Sequence, residues 1–158
     1  MRNAFVIVIV ALYLMGMPGK TAAQDVTDPA KWSYEVKKKS GRVYELIFHL
    51  ELKEKWHIWS TKPGGDGFEI APTFTFEPNA MVRYMDSVTE NGKKTVTKME
   101  GIEGEVTYLS GKIDYVQEVM VKGDTKVTGT HQFQICNDRM CLPPKDLHFE
   151  FLIKGAEK

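Results

Sequence analysis

The sequence predicts an all-β fold, and three observations carry the prediction. Apolar and polar residues alternate with a period of two over most of the chain, as in strands with one buried face. Turn-forming residues interrupt these runs roughly every 8–12 positions, and no window shows an apolar stripe of helical spacing between caps. Together they favour an immunoglobulin-like antiparallel sandwich of about eight strands, with a small barrel as the alternative.

Four runs show the alternation most clearly. In each run the apolar residues are separated by an even number of positions, so they face one side of a predicted strand. These residues are the predicted core: Tyr44, Leu46, Phe48, Leu50 and Leu52; Phe74 and Phe76; Ile113, Tyr115 and Val119; and Leu147, Phe149, Phe151 and Ile153.

Turn signals separate the predicted strands. Asn91-Gly92 is typical of a tight hairpin, because both residues tolerate positive φ angles. Residues 63–67, rich in glycine, predict the most flexible loop. The remaining turn signals are Ser40-Gly41, Pro78-Asn79, Ser110-Gly111 and Gly123-Asp124.

The first 23 residues predict a signal peptide. Arg2 gives a positive start, residues 4–17 form an uncharged apolar run, and residues 21–23 are small, as cleavage requires. The run is short for a membrane span, so an uncleaved anchor is the alternative. We expect export to an oxidising compartment, where disulfides persist, and a single domain over residues 24–158.

The charge balance narrows the classes of partner. Without Arg2 and Lys20, 19 of the chain's 21 basic residues stand against 21 acidic ones. Such a near-neutral domain gives no indication of a nucleic-acid or membrane-surface partner.

The chain has two cysteines, Cys136 and Cys141, which allow three interpretations. A structural disulfide would close a loop of about six residues and stabilise the fold by only roughly 2 kcal/mol. A redox switch needs sulfurs within bonding reach, exposure to a partner thiol and a tuned thiolate. A zinc or copper site would need further ligands, and the candidates are Met140, His131 and His148.

The turn between the cysteines suits a switch. It brings the sulfurs together and, as a turn, is expected at the surface. Arg139 would favour a thiolate, whereas Asp138 would oppose it. Pro143 and Pro144 fix two φ angles just after the turn and would hold Cys141 in one orientation.

The segment Cys136-Asn-Asp-Arg-Met-Cys141-Leu-Pro-Pro144 resembles the active-site hairpin of the N-terminal periplasmic domain of the thiol:disulfide interchange protein DsbD. Its Cys-Asn-Asp-x-x-Cys-Leu-Pro-Pro pattern resembles that of homologues from Bacteroidetes-like bacteria. Residues 56–60, Trp-His-Ile-Trp-Ser, resemble the aromatic strand of that family, and residues 71–76 resemble the strand after it. The resemblance covers roughly residues 31–154, and the cysteine–proline segment is its specific part.

The resemblance implies a periplasmic sandwich with the cysteine pair on a hairpin. The pair would take electrons from a membrane-embedded thiol donor and pass them to disulfide isomerases or thioredoxin-like proteins of cytochrome c maturation, without a metal or organic cofactor. Cys141 would form mixed disulfides with these partners, and Cys136 would resolve them. Because the family protein continues into transmembrane and thioredoxin domains while this chain stops at Lys158, we expect a donor on a separate chain. We also expect the domain to be a monomer.

The resemblance also implies a loop that shields the cysteines with an aromatic cap. By position this loop corresponds to residues 97–102, where Met99 or Ile102 would replace the aromatic, and Phe68 is the alternative cap. Two tryptophans match a family aromatic that packs near the pair, although a plain core role is the more frequent one for such residues: Trp56 and Trp59. Three carboxylates are candidate proton acceptors: Glu100, Glu103 and Asp138.

Two functions of different classes follow. The favoured hypothesis is an exported thiol–disulfide oxidoreductase, acting as a protein-disulfide reductase through Cys136 and Cys141. The alternative is a non-catalytic sandwich module that binds a protein or carbohydrate and has a structural disulfide. Exposed tryptophans away from the cysteine turn would favour the alternative, and the chain offers three: Trp32, Trp56 and Trp59.

Overall fold

The computed structural model describes residues 28–67 and 69–155, and all regular structure within them is β-strand. The predicted signal peptide, the cap candidate Phe68 and residues 156–158 lie outside the described residues. No described segment forms a helix long and apolar enough to span a membrane. The strands are β1 (Ala30–Ser40), β2 (Val43–Leu52), β3 (His57–Gly64), β4 (Thr73–Phe76), β5 (Val82–Thr97), β6 (Val106–Val121), β7 (Thr125–Phe133), β8 (Ile135–Cys136) and β9 (Lys145–Ile153).

The strands form two antiparallel sheets, which confirms the predicted sandwich. The larger sheet is organised around β6, which pairs with β5 along one edge and with β2 and then β3 along the other. β1 pairs with β2, and β8 pairs with β3. The smaller sheet has the order β4–β7–β9.

The main core lies between the sheets and uses the alternating residues named above. Leu46, Phe48 and Leu50 of β2 share one cluster with Phe149 and Phe151 of β9, and all five are buried. The Phe48 ring meets the two β9 rings at centroid distances of 4.9 and 5.0 Å, edge-on as aromatic pairs prefer. This cluster contains neither cysteine, so the sandwich does not depend on the disulfide for its core.

Two of the predicted turns are wrong. Asn91-Gly92 lies inside β5 and Ser110-Gly111 lies inside β6, because these long strands pair with each other past both dipeptides. A side chain at position 92 would be crowded, since its Cβ would lie 3.0 Å from Cγ1 of Ile113. Gly111, with a φ of 74°, lies at a bulge where the pairing with β5 jumps from Ile113 to Ser110.

The bulge in β6 positions the cysteine end of the sandwich. β2 pairs with β6 as far as Lys112, and β3 takes over at Ser110, so the two strands run end to end along one edge of β6. A tight turn joins them, in which the Trp56 N–H donates to the Lys53 carbonyl at 3.1 Å. β3, with β8 beside it, therefore occupies one end of the larger sheet.

A histidine ties three strands together on the face of this sheet away from the core. The His49 ring on β2 is bonded through Nδ1 to Asp114 on β6 at 2.7 Å and through Nε2 to Glu35 on β1 at 3.1 Å. Burial alone would lower the pKa of His49, but the hydrogen bonds and charges of Asp114 and Glu35 outweigh it and raise that pKa. The fold therefore favours the protonated ring.

We expect His49→Gln to destabilise the protein more at about pH 5.5 than at about pH 8.5. The pKa of His49 in the folded protein lies above the unfolded value of about 6.5. The bonds of the protonated ring to Asp114 and Glu35 therefore stabilise the fold fully below that value, and this stabilisation is lost as the pH rises through the folded pKa. Because these side chains are partly exposed, the effect is at most about 1 kcal/mol after solvent screening. Melting temperatures of both proteins at both pH values measure it, and an equal difference at the two would contradict it.

Candidate active site

The two cysteines lie directly opposite each other on a hairpin that β8 begins. The Leu142 N–H donates to the Ile135 carbonyl, and the Asn137 N–H donates to the Met140 carbonyl, each at 2.9 Å. Cys136 and Cys141 therefore occupy the position between these bonds, where opposed side chains come closest in an antiparallel pair. Their Cα atoms are 3.9 Å apart and their sulfurs form a disulfide.

The Asn137 side chain fixes the turn. Its Oδ1 accepts from the backbone N–H groups of Arg139 at 2.9 Å and Met140 at 3.0 Å, a local bond pattern that favours turns. Asp138 and Arg139 form the exposed tip. Pro143 lies two residues after the second cysteine and is also exposed, on the way into β9.

The two sulfur-bearing residues differ sharply in exposure. Cys136 is 2% exposed, whereas Cys141 is on the surface beside Met140, which is 54% exposed. A second protein can therefore approach the disulfide only from the Cys141 side of the hairpin.

A second, smaller apolar cluster surrounds Cys136. It consists of Cys136, Trp59 and Val106, and Met99, Ile102 and Tyr108 pack against it. Met99 and Ile102 come from the loop between β5 and β6, the segment that the sequence suggested as a cap. Glu100 and Glu103 of the same loop are exposed, and Trp56 packs against the main core instead.

His57 is a site residue that the sequence analysis missed. It begins β3 and pairs in register with Cys136 on β8. Its ring lies 4.4 Å from the Tyr108 ring and 5.5 Å from the Trp59 ring, measured between centroids. The available signal was its position two residues before Trp59 in an alternating strand, which puts both on one face.

The environment of His57 favours the neutral ring. Burial, the larger effect, lowers the pKa of His57, and the negative charge of Asp138 opposes that change without reversing it. A cleft of about 400 Å³ opens beside the ring between the hairpin, the turn before β3, β5 and β6. Its charged lining residues are Lys53, Glu54, Lys55, Lys93 and Asp138.

The other histidines suggested as metal ligands lie elsewhere. His131 is buried among aromatic rings on β7, which lowers its pKa to about 4, and one ring nitrogen is bonded to the Tyr34 hydroxyl at 2.9 Å. His148 is exposed on β9 beside Thr130. Among the described residues, no group of three or more His, Cys, Asp or Glu side chains is placed to hold a metal ion.

The three tryptophans do not form an exposed binding surface. Trp59 is 6% exposed, and Trp32 and Trp56 are half-buried against the main core. Trp32 stacks on Tyr115 at 5.9 Å and contacts Phe133 at 5.0 Å.

Comparison with solved structures shows that the fold of this chain resembles that of known domains. The chain matches the N-terminal periplasmic domain of ScsB from Proteus mirabilis (TM-score 0.58, 15% identity, 78% of this chain and 46% of that one). It also matches the N-terminal domain of Neisseria meningitidis DsbD in the reduced form (TM-score 0.53, 12% identity, 78% of this chain and 86% of that one). The chain has the fold of the DsbD N-terminal domain.

These likenesses extend to the fold and not to the sequence as a whole. No family model and no curated protein matches the chain. The chain spans about half the length of the ScsB structure that it matches. The DsbD resemblance first suggested by the cysteine segment is thus supported at the level of the fold.

We expect Asn137→Ala to lower the free energy of unfolding of the oxidised protein by about 1 kcal/mol, because two turn N–H groups lose their acceptor. Asn137→Asp keeps an acceptor oxygen at the same place and is the matched control, with a smaller loss. Denaturant unfolding of the three proteins measures both changes. Equal stability of Asn137→Ala and the unchanged protein would show that the side chain does not hold the turn.

Proposed function

We propose that this chain is an exported thiol–disulfide exchange domain that works through Cys136 and Cys141. The observation that carries the proposal is the unequal exposure of one disulfide, whose Cys141 end is on the surface and whose Cys136 end is buried. An exchange domain needs this inequality, because one sulfur must meet a partner while the other waits to release it. The fold shared with the DsbD N-terminal domain supports the same function.

The proposed reaction runs through a mixed disulfide. In the reduced domain, the Cys141 thiolate attacks one sulfur of a client disulfide and displaces the other client sulfur as a thiolate. The Cys136 thiolate then attacks Sγ of Cys141, which displaces the remaining client sulfur. The client gains two electrons and becomes a dithiol once its sulfurs are protonated, and the Cys136–Cys141 disulfide re-forms.

The loop between β5 and β6 serves as the cover in this proposal. Met99 and Ile102 pack against the cluster around Cys136, where they exclude water from its sulfur. Gly101 and Gly104 have φ angles of 83° and 92°, in the region that glycine adopts without strain. The glycines let the loop change shape when a partner docks. Met99 and Ile102 replace the aromatic cap of the family in this proposal.

The partners follow from the direction of electron flow. A membrane-embedded thiol donor restores the dithiol, and thioredoxin-like or disulfide-isomerase proteins of the periplasm take the electrons, including those of cytochrome c maturation. The chemistry needs only sulfur and protons, and the domain acts as a monomer. The competing hypothesis of a binding module lacks support, because none of Trp32, Trp56 and Trp59 is fully exposed.

The roles of the two cysteines can be tested with reduced single variants and oxidised glutathione. In Cys136→Ser, the exposed Cys141 should form a stable mixed disulfide with glutathione, because no second thiol is present to release it. In the matched variant Cys141→Ser, the buried Cys136 should react at least about tenfold more slowly. Intact-mass measurement over time follows both adducts, and equal rates or a faster Cys136 would contradict the assigned roles.

A further inference from the structure

Three residues form a row across adjacent strands at the cysteine end. His57 on β3 pairs with Cys136 on β8, and Cys136 pairs with Cys141 across the hairpin. Residues directly opposite in antiparallel strands project to the same face, with Cβ atoms about 5 Å apart. The register therefore places His57 next to Cys136 on the same face of the sheet, on the side away from Cys141.

The resolving step places an unusual demand on Cys136. This residue must lose its thiol proton before it can attack, because only the thiolate is a nucleophile. It is 2% exposed and packs with Trp59 and Val106, surroundings that disfavour a thiolate and keep water away. A proton acceptor next to the sulfur would remove this obstacle.

We propose that His57 accepts the proton of the Cys136 thiol when the mixed disulfide is resolved. The inference rests on the proposed function and adds a residue to it. The neutral ring takes the S–H proton, and the electron pair left on sulfur forms the bond to Sγ of Cys141. The bond between Cys141 and the client breaks, its electron pair leaves on the client sulfur, and the imidazolium returns the proton to that thiolate.

The groups around His57 suit a base that works near neutral pH. Its burial keeps the ring neutral, and Asp138 is placed to stabilise the imidazolium that forms. Tyr108 packs against the ring and helps to hold its orientation. The charged and titratable groups that face the ring from the neighbouring elements are Asp138 of the hairpin, Tyr108 of β6, Lys93 of β5, and Lys53, Glu54 and Lys55 of the turn before β3.

The two chemical steps can be separated with an aromatic disulfide, dithiobis(nitrobenzoate), whose released thiolate absorbs visible light. Reduced protein should release one thiolate when Cys141 attacks and a second when Cys136 resolves the adduct. Only the first release depends on reagent concentration. The full chain lacking the predicted signal peptide would be measured by stopped flow, beside His57→Gln and the control His49→Gln, which changes a remote histidine of the same sheet.

We expect His57→Gln to slow the second release at least about tenfold at neutral pH, as loss of a general base does, and to leave the first within about twofold. In the unchanged protein and in His49→Gln, the rate of the second release should not vary with pH near neutrality. Because burial lowers the pKa of His57, that rate should fall only at acidic pH, below the ordinary histidine pKa of about 6.5. At alkaline pH, where the thiol ionises unaided, the variant should recover.

Two results would overturn the inference, and they are distinguishable. A second release unaffected by His57→Gln, or one that in the unchanged protein rises steadily up to about pH 8.5, would remove His57 from the reaction but leave the proposed function intact. If the reduced, folded, unchanged protein released no thiolate at all, both the role of His57 and the proposed exchange function would be wrong. The pH profile of the unchanged protein decides the question even if His57→Gln fails to fold.

Discussion

The pairing of β6 with its neighbours is the constraint on which the site depends. β6 pairs with β2 and β3 in turn, and the bulge at Gly111 marks the point where one replaces the other. The start of β3 is thereby fixed, and its backbone bonds to β8 set Cys136 opposite His57. A slip of one residue in this register would turn every β3 side chain to the other face. The position of Cys136 opposite His57 therefore depends on the pairing of β3 with both β6 and β8.

The disulfide lies at the boundary between two environments. Cys136 belongs to a small apolar cluster with Trp59 and Val106, while Cys141 is in contact with solvent. The main core, built around rings such as Phe48 and Phe149, is separate from that cluster. The disulfide closes only a short loop, and such a short loop contributes little to stability. These features suit a bond that is broken and re-formed in each cycle more than one that holds the fold together.

Much of the fold could be predicted from the sequence, because alternation reports directly which face of a strand is buried. The runs at 44–52 and 147–153 are examples. The hairpin position of Cys136 was predicted differently, from the short turn between the cysteines and from the family resemblance. Asn91-Gly92 misled the prediction because its local preference for a turn is weaker than the pairing of β5 with β6. His57 was missed because a histidine in an alternating strand has many ordinary explanations, and only the register with Cys136 gives it a role. Phe68 and the predicted signal peptide lie outside the described residues and stay predictions.

The central claim is that the Cys136–Cys141 bond is a reversible redox couple in a fold that tolerates both states. The most direct test is its reduction potential in defined glutathione or dithiothreitol buffers, with thermal unfolding recorded for the oxidised and reduced forms. We expect a potential between roughly −180 and −270 mV, in the range of exchange-active proteins, with both forms folded. A potential below roughly −300 mV, or loss of the fold on reduction, would mean that the disulfide is structural.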